Sequence, residues 1–203
     1  LIEAARARAA AEKTTLNEQF RRWLAEYARS RERMHATVVA LWVDAEREEA
    51  LWSHVGDSRL YRLRHGRVDV ITRDDSVVQR MVDGGLLAPE QARTHPQKNQ
   101  LVSALGVDDA VDPHTVPQSV AIDDGDAFLL CSDGWWEPLS DDDIAHTLEG
   151  ADTVEQWLDA MQRHIEHRAS PKQDNFSAIA LWVGDVAEAT RAMADETVPR
   201  QVP

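Results

Sequence analysis

Residues 58 to 72, SRLYRLRHGRVDVIT, contain the pattern that most restricts the fold of this chain. Apolar and polar side chains alternate on both sides of His65-Gly66, which is typical of two antiparallel strands joined by a two-residue turn. The preceding segments MHATVVALWVD and EALWSHVGD predict a second pair of strands, joined by the polar turn AEREE. Consecutive strand pairs of this kind favour antiparallel sheets over a parallel β-α-β arrangement.

Helices are predicted before, between and after the strands. Thr15 and Glu18 have the spacing of a capping box, and two helices are expected within residues 1 to 33. Four further helices are expected. Two short ones lie in DSVVQRMVDGG, where Ser76 is the cap, and in APEQARTH. The other two extend from Ser140 to about Glu149 and from Thr153 to about Arg168.

The remaining apolar segments predict four more strands: NQLVSALG, HTVPQSVAI, DAFLLCSDG and QDNFSAIALWVGD. Strands in runs with helices grouped around them indicate an α+β fold, with two mostly antiparallel sheets face to face and helices outside. We expect one domain over residues 1–184 and a polar C-terminal tail over residues 185–203.

Composition excludes several classes of protein. The 203 residues carry a formal net charge of -14 and no concentrated basic patch, so we expect no nucleic-acid partner. No apolar run reaches the roughly 20 residues of a membrane helix, and the start lacks the apolar core of a secretory signal. Cys131, the single cysteine, is expected to pack in a strand, and it fits a reducing cytoplasm.

Three aspartates stand next to strongly apolar strands: Asp57, Asp133 and Asp174. The ends of strands in one sheet can converge, so these carboxylates could share a site for Mg²⁺ or Mn²⁺, which prefer oxygen ligands. Each has an alternative structural role: Asp57 could cap a turn, Asp133 could end a strand, and Asp174 could form an Asx turn with Asn175. The eight histidines form no spaced zinc pair, and His95 and His114 are expected in loops.

Four blocks in this order resemble the bacterial metal-dependent protein phosphatases of type 2C (the PPM family). They are HVGDSRLYRLRHGRVDVITRDDS, LLAPEQARTHPQKNQLVSALG, DDGDAFLLCSDGWWEPLSDDDI and QDNFSAIAL, and the resemblance extends from about Ala36 to Val183. It implies a β-sandwich flanked by helices and the hydrolysis of phosphoserine or phosphothreonine in proteins by a water held between two metal ions.

The resemblance also implies roles for individual residues. Asp133 and Asp174 match ligands of the two catalytic Mn²⁺ or Mg²⁺ ions, and Asp57 matches an aspartate near a third, weaker ion. Supporting positions are Ser58, Arg59, Gly134 and Asn175. Arg59 is expected to brace the carboxylates, with a purely structural ion pair as the alternative. Residues 72 to 100 resemble the flap beside the active site of the family.

Two blocks of the family pattern do not occur. One is a first strand with a phosphate-binding arginine and an aspartate, and the other is Asp-Gly-x-Gly-Gly, whose aspartate bridges both metals. VDGG at Val82–Gly85 is no substitute, because it lies in the expected flap. We therefore expect that the missing strands precede Leu1 in a longer polypeptide. Asp75 also replaces the histidine that the family often has in its DHS block.

The sequence leaves two functions open. The first is a protein-serine/threonine phosphatase that acts on a phosphorylated protein substrate and opposes a serine/threonine kinase. The second is a catalytically silent domain of the same fold that binds a partner, since half of the expected metal ligands are absent from the chain. Trp135-Trp136 and the closing ALWVGD resemble the phosphatases associated with type VI secretion.

Overall fold

The structure is a computed structural model that describes residues 36–106, 111, 113–168 and 174–184, together with Glu18, Arg21 and Arg22. The last three are helical and exposed, but the two helices predicted within residues 1 to 33 otherwise lie outside the described residues, as does the tail from residue 185. The described residues form two compact units. Unit 1 comprises the described residues up to Ser58 and from Arg73 to Ala121. Unit 2 comprises the described residues from Arg59 to Thr72 and from Ile122 onward.

Unit 1 contains an antiparallel sheet of four strands: β1 (Val38–Asp44), β2 (Glu49–Val55), β5 (His114–Thr115) and β6 (Val120–Ala121). The strand β2 is central, because β1 pairs with it along its whole length and β5 and β6 pair with its other side. Asp44 stabilises the turn between β1 and β2 by accepting hydrogen bonds from the backbone N–H groups of Glu46 and Arg47. The strand pair predicted in MHATVVALWVD and EALWSHVGD is confirmed.

Two short helices follow in unit 1, α1 (Val77–Asp83) and α2 (Pro89–Ala92). Ser76 caps α1 as predicted, since its hydroxyl accepts a hydrogen bond of 3.1 Å from the Gln79 N–H. The helix ends at Gly84 and Gly85, and the second glycine has a φ of 68°, which favours glycine.

Two strand predictions in unit 1 are wrong in part. NQLVSALG forms no strand but two isolated bridges, through Leu101 and Leu105, because its apolar residues are adjacent in pairs and do not alternate. HTVPQSVAI forms the two-residue strands β5 and β6 instead of one strand. Pro117 lies between them and has no N–H to continue a ladder.

Unit 2 contains a second antiparallel sheet, of β3 (Arg59–Arg64), β4 (Arg67–Ile71), β7 (Ala127–Cys131) and β8 (Ala178–Trp182), in the order β4-β3-β7-β8. The predicted hairpin is confirmed: Arg64 pairs with Arg67, and His65 and Gly66 between them have positive φ values of 51° and 68°. Both central residues of a type I′ turn need this conformation.

Three helices complete unit 2: α3 (Asp133–Trp136), α4 (Asp141–Glu149) and α5 (Val154–Arg168). The strand predicted in DAFLLCSDG ends at Cys131, and its last two residues begin the short α3, whereas α4 and α5 confirm the prediction. A core of fully buried residues joins one face of the sheet to α4 and α5; it includes Tyr61, Leu63, Ala127, Leu129, Ile144, Trp157, Met161 and Ile165. Cys131 is buried in this core, which confirms its packing role.

The two antiparallel sheets and their helices confirm the predicted α+β class. Among the described residues, no helix combines the length and the apolar character that crossing a bilayer requires.

Candidate metal centre

Asp133 lies where β7 passes into α3. The apolar strand ends at Cys131, and Ser132 has extended backbone angles and precedes the first helical residue. The N–H groups of Trp135 and Trp136 donate to the Ser132 carbonyl at 3.0 and 3.2 Å, which closes the short helix directly after the strand. The apolar run is therefore a strand, Ser132 is the cap, and Asp133–Trp136 form the helix.

Asp174 lies on the segment that leads into β8, and it is exposed together with Asn175. Backbone pairing continues beyond the ends of β7 and β8. The Ser132 N–H donates to the Ser177 carbonyl at 3.0 Å, and the Ser177 N–H donates to the Ser132 hydroxyl at 3.0 Å. The antiparallel pairing of these two strands thus brings the segments of Asp133 and Asp174 together at one end of the sheet.

Gly134 marks the closest approach of these segments. A Cβ on this residue would lie 3.0 Å from the carbonyl carbon of Asn175 and 3.3 Å from the carbonyl oxygen of Asp174, and it would overlap the Asn175 oxygen. Only glycine leaves room for the two backbones here. The glycine of the Ser-Asp-Gly sequence therefore permits the two aspartates to be neighbours.

Each of the two carboxylates is oriented by the backbone. The Gly134 N–H donates to Asp133 Oδ1 at 2.8 Å, and the Asn175 N–H donates to Asp174 Oδ1 at 2.8 Å. Partial burial raises the pKa of Asp133 above its ordinary value, and the nearby negative charges of Asp174 and Glu137 raise it further. The pair is thus a site of unfavourable negative charge that a cation would stabilise.

The donor set fits part of a site for a hard divalent cation. Mg²⁺ and Mn²⁺ prefer carboxylate oxygens, and Asp133 and Asp174 supply two such groups from adjoining segments. Within the described ranges, no group of three or more histidine, cysteine, aspartate or glutamate side chains has the arrangement of a metal site. Asp133 and Asp174 would therefore be two ligands of a larger set.

Arg59 contacts the turn that bears Asp133. Its guanidinium carbon lies 3.5 Å from the centre of the Trp136 ring, and Nη1 donates to the hydroxyl of the buried Tyr61 at 3.1 Å. Trp136 ends the helix that Asp133 begins. Arg59 thus braces α3 through an indole ring, a cation–π contact that the sequence did not predict.

Asp57 and Ser58 belong to unit 1. Asp57 lies between the end of β2, in the first sheet, and the start of β3, in the second sheet. The adjacent Gly56 has a φ of 96° and packs on Thr37, whose hydroxyl lies 2.7 Å from the Ser58 hydroxyl. The metal-binding role of Asp57 stays a prediction.

Unit 1 also contains a polar cluster that sequence reasoning missed. His114 was expected in a loop but lies in β5, and its Nε2 is 2.7 Å from Asp75 Oδ1. Asp75 Oδ2 accepts a hydrogen bond of 2.9 Å from the Gly56 N–H. The buried His54 stacks on His114 with ring centres 5.2 Å apart, and its Nε2 lies 2.7 Å from the Arg73 carbonyl oxygen. These residues are far apart in sequence, so no local spacing signals the cluster.

Comparison with known proteins gives the relationship of the chain. No family model matches it. It is 41% identical over 102 residues to the serine/threonine protein phosphatase PstP of Mycobacterium tuberculosis, which covers 50% of this chain and 19% of PstP. It is 35% identical over 96 residues to the protein phosphatase PhpP of Streptococcus pneumoniae, covering 47% of this chain and 38% of PhpP. The match thus spans about a fifth to two fifths of these relatives.

Solved structures extend the likeness over more of the chain. A bacterial serine phosphatase matches with a TM-score of 0.68 and 29% identity, covering 84% of this chain and 66% of that one. The catalytic domain of PstP in complex with two manganese ions matches with a TM-score of 0.63 and 29% identity. The match covers 78% of this chain and 65% of the PstP chain. PppA, described as a key regulatory component of the type VI secretion system in Pseudomonas aeruginosa, matches with a TM-score of 0.61 and 29% identity. The match covers 81% of this chain and 64% of PppA.

The fold is therefore that of the type 2C protein phosphatases. By sequence, the chain is similar to bacterial serine/threonine protein phosphatases, which is the resemblance that the quoted blocks indicated.

Proposed function

We propose that the intact protein hydrolyses phosphoserine and phosphothreonine in other proteins, and that Asp133 and Asp174 hold Mn²⁺ or Mg²⁺ in its active site. One observation carries the proposal: in a chain with the fold of the type 2C phosphatases, the segments that bear Asp133 and Asp174 meet where β7 ends and β8 begins, and the two negative charges interact. Since adjacent carboxylates repel each other, such an arrangement is typical of a site that binds a cation.

Divalent ions would offset the negative charge of the phosphate monoester and hold the water that attacks the phosphorus. Neighbouring residues of the chain orient the two carboxylates. The N–H groups of Gly134 and Asn175 restrain the orientation of the two carboxylates, so little conformational freedom is lost when they bind a ligand. Arg59 and Trp136 fix the turn from which Asp133 projects.

Several narrower features belong to the same proposal. Two catalytic ions are supported by the two manganese ions of the PstP structure, and Asp57 is proposed as a ligand of a third, weaker ion. The substrate is proposed to be a phosphorylated protein in the cytoplasm, and the enzyme would oppose a serine/threonine kinase. Membership of the type VI secretion branch is the narrowest proposal; it is supported by the likeness to PppA and by Trp135-Trp136.

The experiment measures phosphate release from p-nitrophenyl phosphate and from a phosphothreonine peptide by the intact protein, with and without Mn²⁺ or Mg²⁺. Asp133→Asn and Asp174→Asn should each reduce kcat/KM by more than the roughly 10- to 100-fold effect of residues that only orient metal ligands. Asp159→Asn is the matched control, because this aspartate is exposed on α5 and its substitution removes the same charge.

Full activity in EDTA would overturn the metal mechanism. Binding of Mn²⁺ without turnover of either substrate would instead favour a catalytically silent binding module.

A further inference from the structure

Arg168, the last residue of α5, joins three parts of unit 2. Its Nη1 donates to the Pro138 carbonyl at 2.8 Å and to Asp143 Oδ2 at 2.7 Å, while Nη2 donates to Asp143 Oδ1 at 3.0 Å. The guanidinium therefore holds the carboxylate with two parallel hydrogen bonds and reaches a backbone oxygen at the same time. This fork geometry is specific to arginine, because a lysine ammonium is a point charge.

The carboxylate that Arg168 binds is itself fixed. Asp143 Oδ2 accepts from both the N–H and the hydroxyl of Ser140, each at 2.8 Å, in the capping box at the start of α4. The hydrogen bonds from Arg168 are the main reason why the pKa of Asp143 is far below its ordinary value. The charged pair thus persists at all pH values near neutrality and ties the end of α5 to the start of α4.

The same contacts lie close in sequence to both proposed metal ligands. Pro138 belongs to the hydrogen-bonded turn that begins at Asp133, since the Glu137 N–H donates to the Asp133 carbonyl at 2.8 Å and the Leu139 N–H donates to the Trp136 carbonyl at 3.2 Å. Asp174 follows six positions after Arg168 in the sequence. One side chain therefore fixes the segment that follows one ligand and the helix that precedes the other.

We propose that Arg168 is a positioning residue of the metal centre, which holds the segments of Asp133 and Asp174 at the separation that metal binding requires. The inference rests on the proposed function. An ion pair at this position contributes little to stability through its charge, because the Arg168 side chain is 44% exposed. Its three hydrogen bonds in fixed directions restrain geometry instead, and a metal site tolerates ligand displacements of only about 0.2 Å.

The test compares Arg168→Met, Arg168→Lys and the unchanged intact protein. Isothermal titration with Mn²⁺ alone gives the Kd, and hydrogen–deuterium exchange without metal reports the order of peptides 132–137 and 174–178. Arg168→Met should raise the Kd about tenfold, the lower limit for residues that orient ligands, and should speed exchange in both peptides. Arg168→Lys should restore the charge but leave the Kd more than threefold above that of the unchanged protein, because it lacks the fork.

Two control variants separate positioning from general destabilisation. Arg163→Met removes an exposed arginine from the same helix and should leave the Kd unchanged. Thr153→Ala removes a hydroxyl that accepts from the Gln156 N–H at the opposite end of α5, so it should lower Tm without changing the Kd at 25 °C.

The proposal is overturned if Arg168→Met binds Mn²⁺ within twofold of the unchanged protein with unaltered exchange. It is also overturned if Thr153→Ala weakens binding as much, because destabilisation alone would then explain the result. An unchanged protein that binds no Mn²⁺ would overturn the proposed function itself, and this inference with it. The two failures are therefore distinguishable.

Discussion

Replacing Gly134 with alanine places a methyl group where the two segments of the proposed metal centre touch. Its Cβ would lie 3.0 Å from the carbonyl carbon of Asn175 and 3.3 Å from the carbonyl oxygen of Asp174, and it would overlap the Asn175 oxygen. All three are backbone atoms, so no side-chain rotation relieves the overlap. The turn after β7 must then move away from the segment that leads into β8.

The magnitude follows from two opposing effects. Forcing an extra methyl group into a packed site costs about 1–3 kcal/mol, whereas alanine is favoured over glycine in a helix by up to about 1 kcal/mol. We therefore expect the free energy of unfolding to fall by about 1–2 kcal/mol. Mn²⁺ affinity should also fall, by at least about tenfold, because ligand atoms must meet a metal within about 0.2 Å.

Gly150→Ala is the matched control. This glycine ends α4 with a φ of -91°, and the nearest atom to a Cβ there would be the His146 carbonyl oxygen at 4.0 Å. Its replacement should leave Mn²⁺ binding unchanged and should be neutral or slightly stabilising. Urea denaturation followed by tryptophan fluorescence gives the stabilities, and titration calorimetry gives the Kd. If both alanine variants behave alike in the two assays, close backbone contact at Gly134 is not what the site depends on.

Two further predictions concern stability. Burial is the main cause of the lowered pKa of His54. When the pH falls below the ordinary histidine pKa of 6.5, the unfolded chain therefore takes up a proton that the folded chain does not. The free energy of unfolding should consequently fall as the pH drops from 7.5 to 5.5. His54→Gln should reduce this fall in the urea midpoint, and equal slopes in both proteins would contradict the assignment. Arg59→Ala should cost about 1–2 kcal/mol through the lost Trp136 and Tyr61 contacts, with the exposed Arg67→Ala as the control. Equal urea midpoints for the two arginine variants would argue against a bracing role.

Local signals in the sequence predicted most of the elements correctly. The His65-Gly66 turn and the caps at Ser76 and Ser140 are confirmed, because turn and cap chemistry depends on residues within a few positions of each other. The strand expected at residues 99–106 is wrong. Its apolar residues do not alternate, and whether an apolar segment becomes a strand also depends on a partner elsewhere in the chain.

The sequence by itself determined that Asp133 follows one apolar strand and that Asp174 precedes another, and its blocks indicated the phosphatase relationship. Only the tertiary structure decided that these strands are neighbours, that Gly134 lets their ends approach, and that Arg168 reaches Pro138. Pairs such as Arg59 with Trp136 and His54 with His114 likewise depend on strand pairing and packing. Such contacts join residues many positions apart, and their free energy depends on the whole folded core, so no short window of sequence contains them.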